Sequence, residues 1–259
     1  MPGGPTLLAW GARYSRRSAR AAVRALYALA DELQTILITA GTPAIRRLKI
    51  AFWQEEIAQA RRGRAQHPLA RTLAAVVPAP TLHDPAIDRA LADAACEAAL
   101  DGPFPAVSWP SWVAGTVGEI VALGGACEHP HPRPGTAHGR AAGAAYAFTC
   151  RLQTLGASYR HRPWELASLA ALDPAAATQG DVPAATAVLR GLAREAYREA
   201  QSATADATPS TRVLAALGRR LLAELEAEIT TDPGALLDHQ LFLPGPRIYW
   251  LALRARLRL

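Results

Sequence analysis

Between Val23 and Leu37 the segment VRALYALADELQTIL places apolar residues at Val23, Leu26, Tyr27, Ala30, Leu33 and Leu37, and Leu29 and Ile36 add a second stripe. Steps of three and four residues are those of an α-helix, and a helix apolar around most of its circumference must be covered on several sides. The segment therefore predicts a bundle of helices arranged around it. Gln34 continues the Val23, Tyr27, Ala30 row, so its amide is expected to point inward, with Thr35 beside it. A buried amide either finds a hydrogen-bond partner in the core or lines a cavity, and the helix alone fits both.

The rest of the chain is helical by the same reading. Thr42-Pro43, Asp84-Pro85, Thr208-Pro209 and Asp232-Pro233 each set a capping side chain before a proline at the first helical position, where the missing N–H costs nothing. Alanine- and leucine-rich windows lie between them, and no alternating Val/Ile/Thr run argues for a strand. Helices are expected near 14–39, 43–63, 68–76, 85–100, 111–125, 137–157, 184–203, 209–230 and 245–258, with a short turn near 164–171. Pro78-Ala79-Pro80, the Gly102 to Pro105 stretch and the His129 to Gly135 stretch read as loops, none long enough for a domain linker. Residues 1–259 are expected to form a single all-α domain.

Hydrophobic residues make up 50% of the chain and charged residues 19%, which excludes a disordered protein and suits a helical domain with a large core or a lipid-facing surface. The net charge of +6 is concentrated at the start: residues 1–71 carry +8 and the remainder −2. Such a field draws anionic lipid, diphosphate or nucleic acid. Arg13, Arg16, Arg17, Arg20 and Arg24 have no interleaved aromatic ladder and no base-reading motif, which argues against nucleic acid. Cys96, Cys127 and Cys150 are odd in number and widely spaced, so the sequence supports neither a disulfide framework nor a zinc ribbon, and a reducing cytoplasm is expected. No secretory signal and no run long enough to span a bilayer is apparent. The sequence reads as a cytoplasmic protein, with peripheral contact to the inner face of an anionic membrane through the N-terminal arginines and a C-terminal helix. That helix pairs Tyr249 and Trp250 with Arg254, Arg256 and Arg258.

Two stretches carry a family resemblance. RAAVRALYAL, Arg20 to Leu29, resembles the segment of squalene and phytoene synthases that leads into their first aspartate-rich motif. The series Trp53, Glu56, Gly63, His67, Pro68, Leu69 is similar to the helix and His-Pro-Leu segment that follow in those proteins. The segment from Trp112 to Glu119, with Gly115 and Gly118, resembles their Ala-Gly-x-Val-Gly helix, and Gly143 to Leu155 resembles their second motif helix. The resemblance covers roughly residues 13 to 172 and implies the isoprenoid-synthase-type helical bundle with a central cavity. It also implies cavity-lining positions at Gln34, Thr35, Ile38, Ala147, Cys150 and Thr154, and ligand contacts at Arg20, Tyr27, Trp53, Gly115 and Tyr146 for an isoprenoid or lipid-like ligand.

The departure from that family decides the functional expectation. Ionising an allylic diphosphate requires magnesium held by carboxylates, because a hard cation takes oxygen ligands and the leaving group is highly charged. Here the motif positions hold Gln34, Thr35 and Ile38 on one helix, and Gly143, Ala147, Cys150 and Thr154 share a face of the other, so no carboxylate stands at either site. The expectation is a protein without metal or cofactor, a non-catalytic isoprenoid- or lipid-binding or assembly protein. Its pattern also resembles a divergent branch of the family that includes a mitochondrial complex I assembly factor. The alternative is an active head-to-head prenyltransferase that uses magnesium with Asp31 and Glu32 one turn upstream. Which protein partner an assembly role would serve is not legible.

Three lesser signals complete the reading. Glu128, His129, His131 and His138 crowd one proline-rich stretch, which fits a solvated loop better than a metal site. No serine sits in a Gly-x-Ser-x-Gly elbow, so a hydrolase of that type is not indicated. Tyr27 and Tyr146 lie on the same helices as the motif positions, and either hydroxyl could satisfy Gln34. Small residues along the Ala147 face favour an open space there.

Overall fold

A computed structural model describes residues 6–39, 41–102, 105, 108–129, 136–155, 163–171, 181–231 and 251–255. All regular structure among them is helical: α1 (Leu7–Arg13), α2 (Arg20–Thr39), α3 (Pro43–Arg61), α4 (Pro68–Val76), α5 (Ala79–Leu82), α6 (Pro85–Ala98), α7 (Trp109–Cys127), α8 (Ala137–Gln153), α9 (Pro163–Ala170), α10 (Asp181–Ser202) and α11 (Pro209–Thr231). Residues 251–255 are helical as well. The Asp232-Pro233 cap, His131, and Tyr249, Trp250, Arg256 and Arg258 of the expected C-terminal helix lie outside the described residues. No helix among the described residues is long and apolar enough to cross a membrane.

The helix starts follow the caps. Thr42 accepts from the Ile45 N–H at 3.3 Å, and Asp84 Oδ1 accepts from the Ala86 N–H at 2.8 Å, each with proline next in line. At α11 the capping runs the other way, with Thr211 Oγ1 accepting from the Thr208 N–H at 3.0 Å. Two boundaries differ from expectation. The first helix does not begin at 14: Thr6 caps a separate α1, and the chain turns between Arg13 and Arg20, where Ser15 Oγ donates to the Ala12 carbonyl at 2.7 Å. Pro78-Ala79-Pro80, expected as loop, opens a single helical turn at Ala79–Leu82.

The organising position also differs. α2 is buried along Val23, Leu26, Tyr27, Leu29, Ala30, Leu33 and Leu37 as its pattern predicts, but the most enclosed elements are α7 and α8. These two pack on each other more extensively than any other pair, and between them they touch α2, α6, α10 and α11. The cause is the glycines. A Cβ at Gly143 would lie 2.8 Å from the Gly118 Cα and 3.0 Å from the Val117 carbonyl oxygen, and one at Gly139 would lie 2.8 Å from the Ala122 Cα, so the two backbones touch directly. Gly118 therefore serves helix packing. Gly115, three residues earlier, faces a different neighbour: the Asp93 carboxylate of α6 covers it.

The Trp53 to Leu69 series proves to be a helix–turn–helix device. Gly63 leaves α3 with φ of 72°, a conformation that side chains resist. The buried Glu56 carboxylate accepts from the Gln66 and His67 N–H groups at 3.1 and 2.8 Å, and His67 Nδ1 accepts from the Leu69 N–H at 3.2 Å ahead of Pro68. Trp53 packs edge-on to His67 with centroids 4.8 Å apart.

These contacts generate opposite outcomes for two glycine-to-alanine changes. Gly143→Ala should destabilise by about 1–3 kcal/mol through overpacking against α7. Gly191→Ala, in the exposed middle of α10 with nothing within 4 Å, should stabilise by about 0.5–1 kcal/mol through helix propensity. Chemical denaturation of the two variants against the parent measures both.

Candidate functional site

α2 presents two polar faces, one toward α8 and one toward α1. On the α8 side, Gln34 is 4% exposed and its Nε2 donates to the Ala147 carbonyl oxygen at 3.4 Å. Ala147 has no accessible surface, so no water-sized space adjoins it. At Ala147 the expected open face is packed, while Thr154 at the end of the same face is half-buried. Thr35 is exposed and does not line the interior; its carbonyl accepts from Thr39 Oγ1 at 2.7 Å. Ile38 is half-buried against the core. Cys150 is 9% exposed, and burial pushes its thiol up to about 12 against the opposing hydrogen bond from Tyr146. Thr154 closes α8, with its hydroxyl donating to the Cys150 carbonyl at 2.7 Å.

The two tyrosines take other partners than Gln34. Tyr27 lies against Gly124 of α7 and Gly11 of α1, where a Cβ would meet its ring, and its hydroxyl pairs with Ser210 Oγ of α11 at 3.0 Å. Tyr146 donates to Asp31 Oδ1 at 3.5 Å. Both hydroxyls are held far above the usual phenol range, chiefly by burial. Trp53, expected as a ligand contact, is a core residue at 3% exposure, turned onto His67. Gly115 lines an outward cleft of about 610 Å³ with Asp93, Glu119 and Arg140, away from Gln34.

On the α1 side lies a cleft of about 600 Å³ that brings together Arg13, Arg20, Arg24, Tyr27 and Asp31. Arg20 Nη2 donates to the Ser15 carbonyl at 3.3 Å, which fixes its stem, while Arg24 is exposed. Arg13 sits 5.4 Å from the Trp10 ring centroid. Asp31 is pushed up to about 6, first by burial and then by neighbouring Glu32, with hydrogen bonds from Thr6 and Tyr146 opposing. Arg20, Arg24, Tyr27 and Asp31 recur at steps of four, three and four, so the sequence already held the signal for this shared face. What it could not hold was α1, whose Thr6, Ala9 and Arg13 form the other wall.

The motif positions do not fit a magnesium site. Gln34 and Thr154 are neutral and already hydrogen-bonded, Thr35 points to solvent, and Ile38 and Ala147 offer no ligand atom. Among the described residues no group of three or more His, Cys, Asp or Glu is placed to hold a metal ion. The histidine-rich stretch is structural where it is described. Glu128 is buried and accepts from the Arg16 and Ser210 N–H groups at 2.8 and 3.1 Å, and His138 Nδ1 donates to the Ala200 carbonyl at 2.7 Å. Arg151 and Glu97, which sequence reasoning missed, form a buried ion pair between α8 and α6.

No protein-family model matches the sequence, and no curated protein matches it. Among solved structures, the chain is similar to the crystal structure of a dehydrosqualene synthase in complex with ligand, with a TM-score of 0.69 over 97% of this chain and 90% of that one. The identity is 14%, so the likeness is one of fold. The chain has the all-helical fold of an isoprenoid synthase.

Proposed function

We propose that this chain is a squalene/phytoene-synthase-like protein that has lost the metal-diphosphate chemistry and acts without catalysis as an isoprenoid- or lipid-binding protein at an anionic membrane surface. The observation that carries this reading is the contact of Gln34 with the Ala147 carbonyl: where the resembled enzymes place carboxylates across an open space, two helices here meet through a neutral hydrogen bond in a packed core. The α1–α2 cleft supplies what remains of a head-group site, with Arg13, Arg20 and Arg24 as donors to an anionic head. An assembly role, like that of the divergent branch the sequence resembles, would use the same membrane-facing surface. Given farnesyl or geranylgeranyl diphosphate with magnesium, purified protein should release no diphosphate above background in a coupled assay; turnover would overturn this reading.

Membrane contact draws support from α3 as well as from the N-terminal charge. Ile45, Leu48 and Phe52 are 46, 72 and 45% exposed and share one face of that helix, beside the exposed Lys49. An apolar stripe bordered by basic charge is the pattern of a surface-lying helix, and each basic residue near an anionic bilayer contributes about 1 kcal/mol before screening. The protein should cosediment with phosphatidylglycerol vesicles and be released by salt. Leu48→Glu should weaken binding about tenfold or more by removing apolar insertion. Equal binding to neutral vesicles, or indifference to salt, would sink the membrane role.

A second reading, a prenyltransferase that uses Asp31 and Glu32, finds one supporting observation in the arginines that surround Asp31. Against it, Glu32 is exposed, and among the described residues no group of three or more His, Cys, Asp or Glu, Asp31 included, is placed to hold a metal ion. The raised pKa of Asp31 has its own consequence. Because the folded state favours protonated Asp31, its contribution to stability is fully present below pH 3.8 and is lost as pH rises through about 6. Asp31→Asn should therefore raise Tm by about 2–4 °C at pH 8 and lose that advantage near pH 4. A variant less stable than the parent at pH 8 would mean that the carboxylate is held ionised by a partner.

A further inference from the structure

A cleft of about 810 Å³ lies on a different part of the bundle from Gln34 and from the α1–α2 cleft, lined by the end of α10, by α11 and by residues 251–255. Among the described residues its charged lining is of one sign. Arg212 lies two turns before the adjacent Arg219 and Arg220 on α11, Arg254 comes from residues 251–255, and no carboxylate is among the described lining residues. Arg220 is paired with Glu224 on its own helix. Among the described residues Arg212 and Arg219 have no ion pair, although on α10 Arg190 and Arg194 both pair with Glu226 of α11 and Arg198 pairs with Glu195. Gln201 and Thr204 add neutral polar groups to the lining, while His138 and Tyr197 are committed to the fold. His138 donates to Ala200, with burial holding its ring toward the neutral form, and the Tyr197 hydroxyl meets Thr149 Oγ1 at 3.2 Å. The floor is apolar, made of Ala200, Ala215, Ala216, Ala223, Leu251 and Ala255.

We propose that this cleft is a second ligand site, which takes a phosphate-bearing anion attached to an apolar body. Guanidinium forks match phosphate oxygens two at a time, and two of them left uncompensated beside a concave surface define where such a group is held. The alanine and leucine floor sits where the carbon portion of a phosphorylated amphiphile would lie, and the volume falls within the range of small-molecule sites. The phosphate comes either from a free phosphorylated metabolite or from a phospholipid head group. The proposal is independent of the catalytic status of the fold and of the α1–α2 cleft.

Two probes separate the sources. Inorganic pyrophosphate is titrated calorimetrically into the full chain at constant ionic strength set with chloride, and phosphatidic acid vesicles are tested by sedimentation. Both are repeated with Arg212→Gln, Arg219→Gln and the charge-retaining pair Arg212→Lys with Arg219→Lys. Pyrophosphate binding that falls about tenfold with each glutamine variant, and falls with the lysine pair as well, supports a site that uses the guanidinium forks for soluble phosphate. Variant-sensitive binding to phosphatidic acid vesicles alone supports the head-group source. The membrane contact proposed for α3 is told apart by Leu48→Glu, which should leave pyrophosphate binding unchanged. Arg219 is exposed, so its glutamine variant tests the site without disturbing the core. Absence of binding to either probe, or binding that the folded glutamine variants leave unaltered, would overturn the proposal.

Discussion

The direct contact of the α7 and α8 backbones is the constraint on which the rest of the bundle depends. Gly118 against Gly143, and Gly139 against Ala122, bring the two helices closer than any side chain would allow. That approach lets α7 be covered by α2 and α6 on its other sides and lets α8 be covered by α10 and α11. Dispersion falls steeply with distance, so two surfaces in contact over several turns contribute more than the same areas held apart by a methyl group. Tyr27 is a consequence of the same spacing. Its ring fills the gap that Gly124 leaves between α2 and α7, and its hydroxyl reaches α11.

Around that apolar axis the buried polar side chains hold the chain together. Glu128 receives N–H donors from the turn before α2 and from the first turn of α11, so one carboxylate ties three parts of the sequence. Glu56 does the same for the turn between α3 and α4. Arg151 and Glu97 meet in the interior, and Arg46 reaches the Leu100 carbonyl at 2.7 Å. A buried charge without a partner is costly, so each of these groups constrains which helix arrangement is tolerable even where its net contribution to stability is small. The same commitments remove these residues from any list of catalytic candidates. Among the described residues the buried carboxylates Glu56, Glu97 and Glu128 are engaged with backbone N–H groups or with an arginine.

In the reading proposed above, function lies at the surface of the bundle and not at its centre. In an open isoprenoid-synthase interior, motif carboxylates and a hydrocarbon tunnel would share one space. Here the polar end of that space is occupied by an amide and a carbonyl in contact, while arginines gather in two outward clefts and an apolar stripe lies bare on α3. These are the features on which the proposed surface sites rest.

Much of the fold was legible in the chain. Threonine or aspartate before proline placed the starts of α3, α6 and α11, three- and four-residue spacing showed which face of α2 is buried, and the lack of alternating runs excluded sheets. These are local properties, set by backbone sterics and by hydrogen bonds within a few residues. The family words around Trp53 and His67 were legible too, but their meaning was not, because a capped turn and a binding motif look alike in sequence. What only the tertiary structure decided was the partner of each buried polar group. Gln34 could have faced a cavity, Tyr27 or Tyr146, and it faces Ala147; Tyr27 could have faced Gln34, and it faces Ser210. Periodicity along one helix says that a side chain points inward. Which atom it meets there depends on how closely two helices approach, and that distance was set by glycines on α7 and α8, far along the chain from the residues whose contacts they determine.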